Sequence, residues 1–232
     1  MTIDTTSTDG LLLVDKPVGV TSHDVVEIVR RAYNERSIGH LGTLDPFATG
    51  LLVLLLGRST RLATFIENEP KIYEATIRFG AETDTDDCTG TVIRETSPPS
   101  LERILQAIPT LTGTIEQLPP AYSAKKVGGV RAYDKARSGE VVTLAPVQIT
   151  VHEWRIRAAR PSEIDVVVTC SGGTYIRALG RDLGRLTDSA AHVSALRRTG
   201  SGEFDVRDAV TLDMLRSDVR PPIQPLRVVV GI

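Results

Sequence analysis

The longest unbroken apolar run in the chain, Leu51 to Leu56, follows directly on Ser37 to Gly50, a segment holding three glycines and one proline. An apolar run of that length with no polar alternation reads as a strand buried on both faces. It is far short of the roughly 20 residues a membrane helix needs, and no longer apolar run exists elsewhere. The segment before it cannot be regular helix or strand throughout, because glycine and proline interrupt both ladders, and it reads as a structured loop. Any fold for this chain has to cover two faces of one strand while holding an irregular loop at its start. At 232 residues the chain has ample length for such a core.

The flanking patterns say what covers it. Leu11 to Val14 is a short strand closed by the turn at Asp15-Lys16-Pro17, with Gly19 following. Thr21 or Ser22 then caps a helix, with Asp24 favourable in its first turn and Val25, Val26, Ile28, Val29, Ala32 and Tyr33 at helical spacing to about Asn34. From Ile72 the period changes to two, so that Tyr73, Ala75, Ile77 and Phe79 share one strand face. Leu101 to Ile108 reads as a short helix. Val147 to Ala158, Ile164 to Thr169 and His192 to Thr199 read as strands. Ser171-Gly172-Gly173-Thr174 opens a helix to about Leu186, and Thr211 to Arg216 is a last short helix. Strands and helices mix without strict alternation or a fixed repeat, which predicts an α+β fold.

Residues 119 to 141 stand apart as an insert that starts Pro119-Pro120 and carries Lys125, Lys126, Arg131, Lys135 and Arg137 around a Gly128-Gly129 hinge, with Tyr122 and Tyr133 interleaved. Those cations are candidates for phosphate contact, as are Arg197 and Arg198. The acidic stretch Glu82 to Asp87 shows no metal-ligand spacing and reads as an exposed loop facing away from such a ligand. The polar start of the chain has no signal-peptide pattern, which predicts a cytoplasmic protein. Cys88 and Cys170 lie far apart with no metal-ligand partners, so neither a disulfide framework nor a zinc site is expected, and both read as small core residues or bystanders.

The net charge of −2 argues on its face against a polyanionic partner, but it is a cancellation. Ala121 to Gly139 holds five basic residues against one acidic, and Gly173 to Gly200 five against two. Glu82 to Glu95 holds five acidic against one basic, and Ser201 to Asp218 five against two. Whole-chain charge governs solubility and long-range field and does not locate a binding face.

The candidate for chemistry is Asp45, in Gly39-His40-Leu41-Gly42-Thr43-Leu44-Asp45-Pro46-Phe47-Ala48-Thr49-Gly50. An aspartate before proline is biased away from helix, the glycines allow close backbone packing, and a carboxylate so displayed suits a nucleophile or general base.

This segment resembles the catalytic motif of the TruB family of tRNA pseudouridine-55 synthases. The resemblance continues in order through Leu13-Val14-Asp15-Lys16-Pro17 with Thr21-Ser22-His23-Asp24, and Lys71-Ile72-Tyr73-Glu74-Ala75. It extends through Pro119-Pro120-Ala121-Tyr122-Ser123-Ala124-Lys125-Lys126 with Arg131-Ala132-Tyr133, then Cys170-Ser171-Gly172-Gly173-Thr174-Tyr175-Ile176-Arg177, and His192-Val193-Ser194-Ala195-Leu196-Arg197-Arg198-Thr199.

The resemblance implies a pseudouridine synthase fold, a mixed and mostly antiparallel sheet flanked by helices and loops, in a single catalytic domain over 1–232. It implies that the insert grips RNA and that no cofactor or metal is needed. The sequence departs from the family in one respect: many members continue into a C-terminal RNA-binding domain of the PUA type, and the residues up to Ile232 do not accommodate a complete one. The expectation is therefore a stand-alone monomer with no obligate protein partner. The implied substrate is the T arm of tRNA. Asp45 becomes the nucleophile on a flipped-out uridine. Whether it attacks C1′, adds to the base or assists a glycal stays open. Tyr73 would stack on the uracil and carry a hydroxyl able to move a proton, and Arg177 would pair with Asp45. Leu196 would wall the base, His40 would hold the rearranged RNA loop, and Lys16 would support the catalytic loop. Lys125, Lys126, Arg131 and Arg197 would contact RNA. The alternatives are synthesis of pseudouridine in another RNA such as ribosomal RNA, and a tRNA-folding activity independent of catalysis.

Overall fold

The computed structural model describes residues 8–122, 144–217 and 220–226, with the backbone alone at 126–127 and 130–131. In chain order the first elements are β1 (Gly10–Lys16), α1 (Ser22–Tyr33), β2 (Ile38–His40), β3 (Thr49–Leu56), a 3-10 stretch at Gly57–Phe65, and β4 (Lys71–Phe79). Then follow β5 (Ala81–Thr83), β6 (Val92–Glu95), α2 (Leu101–Ala107), β7 (Gly113–Gln117), and the short pair β8 (Lys126–Val127) and β9 (Val130–Arg131). The chain continues through β10 (Val147–Arg160), β11 (Glu163–Cys170), α3 (Ile176–Leu186), β12 (Ala191–Ser201), β13 (Phe204–Asp205), β14 (Val210–Thr211) and α4 (Leu212–Arg216). The mixture is α+β, and most strand pairs are antiparallel, with β1/β14 and β12/β3 parallel. Two compact units divide the chain, one of residues 1–71 and 197–232 and the other of residues 72–196.

In the first unit β3 is covered on both faces, as its unbroken apolar run requires. Leu52, Leu54 and Leu56 pack with Val25, Val26, Val29 and Tyr33 of α1 and with Leu212 and Leu215 of α4. Leu51, Val53 and Leu55 point the other way, into a cluster with Leu11, Leu13 and Leu41. Each such buried aliphatic side chain contributes about 1.5–3 kcal/mol of hydrophobic stabilisation. β1 runs antiparallel along the whole of β3, from Gly10 opposite Leu56 to Lys16 opposite Gly50. β2 also pairs with β3, which makes Ile38–His40 a short strand inside the segment read as loop. Thr21 is the helix cap: its hydroxyl accepts from the Asp24 N–H while the Asp24 carboxylate takes the Thr21 N–H, a capping box.

In the second unit the sheet order is β12, β4, β11, β10, β7. β4 alternates as its period predicts, with Tyr73, Ala75, Ile77 and Phe79 all buried. α3 packs closely on the strand beside it, since a Cβ on Gly180 would lie 2.9 Å from Val193.

Two expectations fail here. The acidic stretch is no exposed loop: Glu82, Asp86 and Asp87 are 3%, 6% and 4% exposed. The reason is a row of arginines on α3, where Arg181 and Arg185 meet Asp86 and Glu82. Arg198 is no phosphate contact either. It is 1% exposed, with its Nε donating to the Leu51 carbonyl at 2.7 Å and its NH2 to the Gly42 carbonyl at 3.0 Å. Of the cysteines, Cys170 is in the core and Cys88 is exposed.

Candidate active site

Asp45 sits within an irregular stretch, residues 41–48, whose main chain is held from several directions. The Ser22 hydroxyl donates to the Leu44 carbonyl at 3.1 Å and accepts the Leu44 N–H at 2.9 Å. Asp45 itself accepts the Ala48 N–H on its carbonyl at 3.1 Å. The Pro46 carbonyl takes the Gly19 N–H at 2.8 Å and lies 3.4 Å from the Lys16 ammonium. Arg198 joins the two ends of the loop by donating to the carbonyls of Gly42 and Leu51. Gly50 is obligatory for that closure: its φ is +102°, and a Cβ would stand 2.2 Å from the Arg198 carbonyl oxygen. The result is a partly exposed aspartate on a pinned backbone.

Lys16 is fully buried, and besides Pro46 its ammonium donates to the carbonyls of Val20 at 2.8 Å and Pro17 at 3.0 Å. Burial lowers its pKa from 10.5 to about 8, against the opposing pull of Asp45. The described contacts of Lys16 are all to main-chain carbonyls, one of them in the loop that carries Asp45. Lys71, which the sequence reading passed over, is also buried, with its ammonium 2.7 Å from the Ser201 hydroxyl. His40 is half-buried, and its pKa is lowered by burial first and then by Arg198 and His23. Its Nδ1 is buried and has no hydrogen-bond partner among the described residues. Arg197 makes a two-pronged pair with Asp15, at 2.9 and 2.7 Å, which engages two of its five donors.

Tyr73, Arg177 and Leu196 belong to the second unit, and all are buried, at 8%, 3% and 8% exposure. Arg177 donates to the carbonyls of Thr85 at 2.8 Å and Tyr122 at 3.0 Å and lies 3.6 Å from the Asp87 carboxylate. One helical turn on, Arg181 pairs with Asp86 at 2.7 Å and donates to the Leu118 carbonyl at 2.8 Å. Burial raises Asp86 to about 6 in spite of that guanidinium. Gln117 exchanges hydrogen bonds with the backbone of Tyr175. The first arginines of α3 therefore hold the N-terminal root of the insert as well as the acidic loop. Within the insert Lys126 and Arg131 pair as backbone in β8 and β9. Lys125, Lys135 and Arg137, and the side chains of Lys126 and Arg131, lie outside the described residues.

Among the described residues no group of His, Cys, Asp and Glu side chains could hold a metal ion. No described helix is long and apolar enough to cross a membrane.

With that geometry in view, the chain compares closely with known proteins. Residues 30–176 match the TruB family pseudouridylate synthase N-terminal domain, and residues 177–221 match the tRNA pseudouridylate synthase B C-terminal domain. The chain belongs to the TruB family. Relatives include the tRNA pseudouridine synthase B of Leifsonia xyli subsp. xyli, 50% identical over 89% of this chain and 71% of that protein. The synthase B of Thermobifida fusca is 46% identical over 90% of this chain and 75% of its own length. Among solved structures, a chain of a Cbf5–Nop10–Gar1 complex matches 89% of this TruB-family chain and 54% of its own length, with a TM-score of 0.69 at 27% identity. A chain of an H/ACA ribonucleoprotein bound to a substrate RNA matches with a TM-score of 0.68 at 25% identity. The pseudouridine synthase fold expected from the sequence is the fold observed.

The TruB motifs led to Asp45 and to the strand and helix that carry Tyr73 and Arg177. The residues the sequence reading missed are those that hold them: Ser22 against Leu44, Arg198 across the loop ends, and Arg181 with Asp86. Ser22 carried one available signal, since a helix start with two adjacent hydroxyl residues needs only one of them as cap.

Proposed function

We infer that this chain isomerises uridine to pseudouridine at position 55 in the T-arm loop of tRNA. Its place in the TruB family and the tRNA pseudouridine synthase B relatives at 46–50% identity support that activity. The observation that carries the chemistry is a partly exposed Asp45 between two fixed peptide planes, the arrangement an attacking carboxylate needs. The reaction breaks the N1–C1′ bond of the target nucleotide, turns the uracil and forms a C5–C1′ bond, while a proton leaves C5 and N1 ends protonated. Atoms and electrons balance within one nucleotide. Tyr73, Arg177, Leu196 and His40 enter this proposal through the TruB resemblance, as do monomeric action and the insert as an RNA grip.

Incubation with unmodified tRNA transcripts, followed by mapping of pseudouridine by position, tests the reading. One modified site at position 55 is expected, and modification confined to ribosomal RNA would replace it. Changing Lys125, Lys126 and Arg131 to Ala is expected to weaken tRNA binding and to flatten log K against log salt by about 0.9 per lost phosphate contact to duplex. An unchanged slope removes the insert from the RNA interface.

A further inference from the structure

Ser22 has an unusual assignment for a residue at a helix start. Thr21 takes the capping role with Asp24, so the Ser22 hydroxyl is not needed to satisfy the helix end. It is 3% exposed, and its hydroxyl bonds both the N–H and the C=O of one residue on a different segment, Leu44. A hydroxyl has one proton to donate and lone pairs to accept with, so this pair satisfies it.

Leu44 immediately precedes Asp45. Its C=O belongs to the peptide plane that joins Leu44 to Asp45, and rotation of that plane is the φ angle of Asp45. The plane on the other side is held by the Ala48 N–H on the Asp45 carbonyl and by the Pro46 ring. The burial of the Leu44 side chain, at 3% exposure, fixes where the residue is but not how its peptide planes are turned. Among the described hydrogen bonds, the one from the Ser22 hydroxyl holds the carbonyl of the plane entering Asp45.

We propose that Ser22 is a positioning residue for the reaction: through Leu44 it sets the backbone orientation from which the Asp45 carboxylate reaches its target. This rests on Asp45 being the nucleophile. Loss of the hydroxyl removes a hold on one torsion next to the attacking group and leaves α1, its cap and the apolar contacts of Leu44 in place. Misplacement of a reacting group by about 1 Å lowers rate by about 100-fold without comparable loss of substrate binding.

The test compares wild type, Ser22→Ala and Ser22→Thr by single-turnover pseudouridine formation over a range of tRNA transcript concentrations, with thermal melting of each. Ser22→Ala is expected to react about 10- to 100-fold more slowly at saturation, with half-saturation within about threefold of wild type. Ser22→Thr, which keeps the hydroxyl, is expected to recover most of the rate. Hydrogen exchange in wild type is expected to show a protected Leu44 amide, protection that Ser22→Ala loses while the amides of α1 keep theirs. A wild-type rate in Ser22→Ala, a loss confined to half-saturation, or an unprotected Leu44 amide in wild type would each overturn the proposal. If wild type itself makes no pseudouridine in tRNA, the assignment of activity fails instead, which the wild-type arm reads separately.

Discussion

The loop at residues 41–48 and the acidic stretch at 82–88 are both irregular, turn-rich segments with carboxylates on display in the sequence. They are held in opposite ways. Around Asp45 the anchors come from elsewhere, from the Ser22 hydroxyl, the Lys16 ammonium and the Arg198 guanidinium, and all of them grip main-chain atoms. In the acidic stretch the carboxylates are themselves anchors, with Glu82 held by Arg185 and Arg94, Asp86 by Arg181, and Asp87 facing Arg177. Around Asp45 the described fastenings reach main-chain atoms, and the residue stays partly exposed. Where the carboxylate is the fastening, it is buried and serves stability.

That contrast can be broken by exchanging readouts. Asp45→Asn is expected to cut pseudouridine formation by about 10³-fold or more, with little change in melting temperature or tRNA affinity. Retained activity would remove Asp45 from the chemistry. Asp86→Ala is expected to do the reverse: it removes the charge-assisted hydrogen bond at 2.7 Å from the buried Arg181 guanidinium, leaves it Asp182 at 2.9 Å, and costs about 1.5–3 kcal/mol in a denaturant titration. A variant as stable as wild type would show that the acidic stretch is not a structural fastening.

Two pH profiles sharpen the comparison with smaller effects. Asp86 titrates at about 6 in the folded chain, above its ordinary 3.8. Its contribution to stability is therefore full below pH 3.8 and is lost as pH rises through 6. Asp86→Asn is expected to flatten that fall. Lys16 runs the other way, because its folded pKa of about 8 lies below 10.5. Its contribution is present above pH 10.5 and lost as pH falls through 8, so wild type gains stability across that window relative to Lys16→Met. Parallel curves for the two proteins between pH 8 and 10.5 would mean that burial does not lower Lys16.

Much of the architecture was legible because it is carried by near neighbours in sequence. The period of two in β4 needs only successive residues, and the cover on both faces of β3 follows from an apolar run without gaps. The α1 helix was readable from its spacing, although the choice between Thr21 and Ser22 as cap was not, since both side chains have the chemistry. Only the position of Leu44 beside Ser22 assigns them different tasks. Arg197 and Arg198 illustrate the same limit. The two are adjacent and identical in chemistry, yet alternation along β12 sends one to a partly exposed pair with Asp15 and the other into the core.

By itself, then, the sequence determined the α+β class, the strand at the centre of the first unit, the irregular loop before it, the candidate nucleophile Asp45 and the TruB family motifs. Each is set by local spacing or by a contiguous motif. Tertiary structure alone decided which charges are fastenings and which are exposed. The partners lie far apart in the chain: Arg181 and Asp86 are separated by 95 positions, and Arg198 and Leu51 by 147. A guanidinium or carboxylate looks the same in sequence whether water or a buried counter-charge satisfies it. The fold chooses between them because an unpaired buried charge is too costly to leave in place.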